Sequence, residues 1–151
     1  MGEKITKQRL KNYILLRRSV ESQLERLARL KNAELIPAMK ESDGSMRSPS
    51  VNSSKMENSI VRRLVYEDEI MPDVEEKLAE MEAIRAAINR LPDPQEAEVL
   101  RYRYIDCVGY RLTPWREIAC EMYGDDDDAK MQMVFRVHGR ALKNIAAMTE
   151  E

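Results

Sequence analysis

The charged residues between Asp128 and Glu150 are Lys130, Arg136, Arg140 and Lys143, with Gln132 among them and no carboxylate to offset them. A guanidinium and a carboxamide suit paired hydrogen bonds to guanine and adenine edges, and cations of this kind also meet phosphate oxygens. Val134, Val137, Ala141, Leu142 and Ile145 recur between them at helical spacing, which predicts a helix with an apolar face and a cationic one. Just upstream, Thr113 is placed to cap another helix with Pro114 in its first position. Trp115, Ile118, Ala119 and Met122 follow at helical spacing, and Gly124 supplies a left-handed stop. Two short helices, the second uncompensated basic, predict a helix-turn-helix whose second helix enters a DNA major groove.

Other reactive residues fit known chemistries less well. Asp125–Asp128 lacks the calcium-loop pattern, since the sixth residue from Asp125 is Lys130 and the twelfth is Arg136. Carboxylates there are expected to oppose the macrodipole of the following helix, one of them capping it. They are also expected to repel DNA within roughly 10 Å at physiological salt, to swing aside, or to gate binding. Cys107, Cys120 and His138 lie on three separate predicted helices without metal-binding spacing, which predicts buried free thiols and a semi-exposed histidine rather than zinc. The chain has one histidine and no phosphate-binding glycine loop, nucleophile elbow or zinc-protease motif. It is expected to be non-enzymatic and to need no cofactor or metal.

The elements that must position these residues are helical. Of the 151 residues 34% are charged and 5% aromatic, with five glycines, a balance suited to helices with long solvated faces. From about Glu3 to Ala38 the only breaker is Pro37, and Tyr13, Leu16, Val20, Leu24, Leu27 and Leu30 form a narrow seam that needs a partner. Residues 41–58 are Ser-rich with Gly44 and Pro49, and predict a flexible linker. Apolar positions resume at Ile60, Leu64, Met71, Val74, Leu78, Met81, Ile84, Ile88 and Leu91, with Pro72 expected to kink or restart the helix. The two stretches are expected to fold back as an antiparallel hairpin, with a homodimeric coiled coil as the competing arrangement. Asp93, Pro94 and Glu96 have the order of a capping box, opening a helix that Gly109 is expected to end.

Charge is divided unevenly along the chain. The net −2 resolves into +6 over residues 1–40, −4 over 41–91 and −4 over 92–151, so any contact with a polyanion must be local. No apolar run reaches membrane-spanning length and no signal-peptide core opens the chain, so a cytosolic protein without membrane contact, its thiols reduced, is expected.

The segments LPDPQEAEVLRYRYID, LTPWREIACEMYG and VFRVHGRALKNI resemble region four of bacterial sigma factors. The whole chain is similar to small phage-encoded sigma-like transcription regulators of Gram-positive bacteria, over about residues 72–146 by motif and before that by architecture. The resemblance implies an all-α protein: long amphipathic helices over 1–71, then a helix-turn-helix domain over 72–151. It implies promoter DNA and RNA polymerase as partners. Aligned on that family, Lys130, Met131, Gln132, Met133 and Arg136 face the groove, while Arg140, Lys143 and Arg116 meet phosphates. Self-association through the N-terminal helices is a further expectation. The competing expectation is a protein-interaction module, whether anti-sigma-like, polymerase-binding or a DNA-packaging subunit, with a redeployed helix-turn-helix.

Overall fold

The computed structural model describes residues 4–40 and 49–150. The fold is all-α, with no strand among the described residues. Helix α1 spans Lys7–Lys40, α2 Pro49–Asn89, α3 Pro94–Leu100, α4 Trp115–Tyr123 and α5 Asp128–Thr149, and a π-helical segment Arg101–Ile105 continues α3.

The chain divides into two compact units. One combines Met1–Arg18 with Leu78–Glu151, and the other is Ser19–Lys77. The boundary expected at 71/72 therefore falls inside α2, and the first turns of α1 belong with the C-terminal part of the chain. Pro72 does not restart the helix, because α2 runs through it. Neighbouring backbone bonds keep the turn helical around the one donor that proline lacks. The Ser-rich stretch is also shorter as a connection than expected. Residues 49–58 are already helical, and 41–48 lie outside the described residues.

Within the Ser19–Lys77 unit, α1 and α2 run antiparallel. Lys77 Nζ donates to Ser19 Oγ at 2.6 Å, Gln23 Nε2 to Asp73 Oδ2 at 3.0 Å, and Arg63 Nε to Glu34 Oε1 at 2.8 Å. The Arg26 guanidinium lies 4.7 Å from the centre of the Tyr66 ring. Val20, Leu27, Ile70 and Val74 are buried, whereas Leu24 and Leu64, expected in the seam, are exposed. Two helices alone cover a narrow stripe of each other, so seam positions at its margins stay in solvent.

The other unit builds its core from all five helices. Ile5, Leu10, Tyr13 and Ile14 join Ile84, Ile88, Val99, Leu100, Ile118, Val134, Ala141 and Ile145 in the interior. Polar bonds tie the N-terminal segment in place. The Ile5 N–H donates to Thr149 Oγ1 at 2.8 Å and Arg85 to Tyr13 Oη at 3.0 Å, and Arg9 pairs with Glu80. Asp93 caps α3 by accepting from Gln95 N, with Pro94 following it as expected. Glu96 departs from the capping box: it is buried and accepts from Asn144 Nδ2 of α5.

The helix that Gly109 was expected to end stops earlier. Its last turn widens to a π-turn in which Asp106 N–H reaches Arg101 O at 2.8 Å. A loop follows in which Gly109 takes a φ of 70°, a left-handed conformation suited to glycine. Arg17 holds this loop, donating to Cys107 O at 3.1 Å and to Gly109 O, while the Tyr110 ring lies against Arg17 and Arg18. Val108 is 94% exposed in this loop.

Candidate nucleic-acid interface

Helix α4 begins one residue later than the sequence suggests. Pro114 occupies the cap position itself, with an extended ψ of 143°, and Thr113 does not cap. The Thr113 carbonyl instead accepts from Arg103 at 2.7 Å. At the other end Gly124 takes a φ of 79° and its N–H returns to Cys120 O at 2.8 Å. That left-handed residue turns the chain sharply, and Asp127 then caps α5 by accepting from Lys130 N–H at 2.8 Å.

An aromatic cluster fixes α5 against α4 and the π-turn. The Trp115 ring meets Phe135 and His138 edge-on, at centroid separations of 5.3 and 4.7 Å, and Arg103 stacks on it at 4.1 Å. His138 shares a 2.8 Å hydrogen bond with Tyr104 Oη. His138 is 7% exposed, so the semi-exposed histidine of the sequence reading is corrected. Burial, helped by the positive charges of Lys7 and Arg103, lowers its pKa to about 4, so the ring is neutral at physiological pH. Cys107 is buried as expected, but Cys120 is exposed.

With Val134, Val137, His138, Ala141 and Ile145 turned inward, the 3.6-residue period sends Gln132, Arg136, Arg140 and Lys143 to the opposite side. All four are exposed, as is Met133. Lys130, Arg136, Arg140 and Lys143 make no ion pair with any described residue. Met133, Arg136, Arg140 and Lys143 line one open groove of about 710 Å³ with Gln95 and Tyr123, and no carboxylate of a described residue lines it.

Three expected contacts stand apart from this group. Lys130 and Met131 are half-buried, because their positions on the helix fall toward the core side or its flank. Arg116 is exposed, yet it lines a separate cavity of about 420 Å³ with Asp106, Glu117, Glu121 and Asp126. Its surroundings are acidic, which suits an approaching phosphate poorly. Gln95 and Tyr123 are groove residues that the sequence reading missed. Neither is cationic, and nothing in the spacing of α3 and α4 marks them as neighbours of α5.

The four aspartates are all exposed at the start of α5. Along a rise of 1.5 Å per residue, Arg136 lies roughly 12 Å beyond Asp128, Arg140 roughly 18 Å and Lys143 roughly 22 Å. The Debye length at physiological salt is about 8 Å, so the basic residues lie beyond the strongest part of that field. The usable cationic surface is thus the middle of α5 rather than its first turn. Among the described residues no group of three or more His, Cys, Asp or Glu is placed to hold a metal ion, and no helix is long and apolar enough to cross a membrane. Compared with protein-family models, curated proteins and solved structures, the chain finds no match.

Proposed function

We propose that this chain is a DNA-binding transcription regulator of the sigma-region-four kind, in which α4 and α5 form the helix-turn-helix. The observation that carries this reading is the solvent-facing side of α5: Gln132, Arg136, Arg140 and Lys143 are exposed together, without carboxylate partners among the described residues, opposite an inward side that is apolar apart from His138. In this reading Gln132 and Arg136 address base edges and Arg140 and Lys143 address phosphates. Contact is made through the middle of α5, because the acidic first turn repels the backbone. RNA polymerase is the proposed protein partner, and it or self-association through the long helices raises the local concentration of an otherwise weak DNA reader. The working compartment in this reading is the cytoplasm.

The test is a footprint and transcript assay with core polymerase and candidate promoters, beside duplex binding at several salt concentrations. Affinity is expected to fall steeply with salt. Arg136→Ala is expected to lose roughly 1–3 kcal/mol of discrimination at one base pair if it makes a paired contact. Salt-insensitive binding, or an unchanged preference in Arg136→Ala, overturns the assignment.

A second reading, a protein-interaction module, draws on the exposed side chains of Val61, Leu64 and Val65 on α2. Polymerase capture without any footprint is the outcome that favours it.

A further inference from the structure

Helix α5 carries a glycine near its middle. Gly139 stands seven residues after Gln132, three after Arg136 and four before Lys143, so the helical period sets all four on one outward row. All four are exposed. The row is thus three long polar side chains, with one bare position between the two cations. Glycine inside a helix weakens it relative to alanine, because it gives up more backbone freedom on folding. Two structural needs ordinarily compel one, a left-handed backbone or a crowded neighbour, and neither operates here. Gly109 and Gly124 have positive φ, and Gly139 does not. A Cβ built on Gly139 would meet nothing within 4 Å among the described residues. Gly139 also lines the groove shared by Arg136, Arg140 and Lys143. The space kept clear therefore faces outward, toward whatever α5 meets.

At 1.5 Å per residue, Arg136 and Lys143 stand roughly 10 Å apart along the axis, and Gly139 leaves a notch between them. Long side chains hold a partner several ångströms off the helix backbone, on the order of their own length, whereas glycine leaves the backbone itself as the surface. A rounded, negatively charged ridge with a cation on either side fits that notch. The sugar-phosphate strand at the rim of a DNA major groove is such a ridge. That groove is about 12 Å wide, which leaves little clearance for a helix of about 10–12 Å.

We propose that one sugar-phosphate strand of the duplex crosses α5 at Gly139, its deoxyribose against the bare helix backbone, with Arg136 on the base side and Lys143 on the outer side. This rests on the DNA-binding reading and adds to it the point and depth of contact. Gly139 is a positioning residue: it reads no base, but it sets how far Gln132 and Arg136 reach into the groove.

The experiment compares the full chain with Gly139→Ala and Gly139→Lys. The probes are a duplex selected from a random pool by the wild-type chain and a mixed-sequence duplex of equal length. Gly139→Ala is expected to raise the melting temperature by about 2–4 °C, as for any glycine removed from a helix interior. It is expected to weaken binding of the selected duplex roughly ten-fold, the size of one misfit methyl group in a close-packed contact. The salt slope stays unaltered, since no charge changes. In hydroxyl-radical cleavage, protection of the deoxyriboses on one short stretch of one strand is expected to disappear with it. Gly139→Lys separates shape from charge. A surface read by charge alone gains affinity and a steeper salt slope from the added cation, whereas the notch loses affinity.

Tighter binding by Gly139→Lys overturns the proposal. So does a lower melting temperature in Gly139→Ala, which would mean that the fold itself needs the glycine. Equal affinity of Gly139→Ala and wild type for the selected duplex removes the crossing point and keeps the DNA reading. No selected duplex at all for the wild-type chain removes both. Loss of polymerase capture or of self-association in Gly139→Ala, with duplex binding intact, also overturns it and gives the notch to a partner protein.

Discussion

Protonating His138 means placing a positive charge among Tyr104, Trp115 and Arg103, away from water. Its pKa of about 4 in the folded chain compares with an ordinary value near 6.5 when unfolded. Between those limits the unfolded chain binds a proton that the native chain does not, so stability falls as pH drops through that window and levels off below about 4. The full effect is on the order of 3 kcal/mol. Asp73, held below its ordinary range by its bonds to Lys77 and Gln23, loses its contribution only as pH falls through about 4 and lower. Urea midpoints measured between pH 5 and 7 therefore isolate the histidine, the only one in the chain. The wild-type midpoint should decline toward pH 5, and His138→Gln, which keeps a hydrogen-bonding partner for Tyr104 but cannot titrate, should flatten the profile. An equal slope in both proteins refutes the account. None of this was legible from the sequence. Tyr104 and His138 are 34 residues apart, and a lone histidine at an interior helical position carries no mark of what faces it.

Helix α5 shows what periodicity does reveal. Val134, Val137, Ala141 and Ile145 were legible as core because they repeat at the helical interval, and the exposed positions of Arg136, Arg140 and Lys143 follow from the same geometry. The start of α5 was legible in chemistry but not in register. One of the aspartates had to be the cap, and the structure selects Asp127. Asp127→Ala should cost about 1 kcal/mol by thermal melt, whereas Asp125→Asn with Asp126→Asn should leave stability nearly unchanged. The double variant should bind duplex DNA several-fold more tightly at low salt, with the gain vanishing at high salt. Equal affinity at every salt concentration would show that the acidic turn exerts no influence on the site. Boundaries governed by backbone detail were hidden. The π-turn at Arg101–Ile105 and the passage of α2 through Pro72 depend on bonds that local propensity does not encode.

At the scale of the whole chain, the sequence divides by composition while the structure divides by contact. By composition a basic N-terminal helix looks separate from the helices that follow residue 72, yet Ile5, Leu10, Tyr13 and Ile14 are core residues of the unit that holds α3, α4 and α5. Each buried side chain of that size contributes roughly 1.5–3 kcal/mol, and four of them approach the total stability of an ordinary domain. A fragment beginning at residue 72 should therefore lack a cooperative unfolding transition, and adding back a peptide of residues 1–18 in trans should restore part of it. A sharp, full-strength melt of the fragment alone would contradict this. Long-range pairing of this sort leaves no trace in local pattern, because the seam of α1 stays apolar at helical spacing on both sides of Arg18.

The division at Arg18 and Leu78 has a kinetic consequence. The larger unit is discontinuous, so its two pieces meet only after a loop of roughly 60 residues has closed, an entropic toll that normally slows folding. The intervening antiparallel helices remove most of that delay if they zip first, since pairing Ser19 with Lys77 delivers both pieces to the same place. Breaking the zip near its open end, for instance with Lys77→Ala, should slow refolding more than it hastens unfolding.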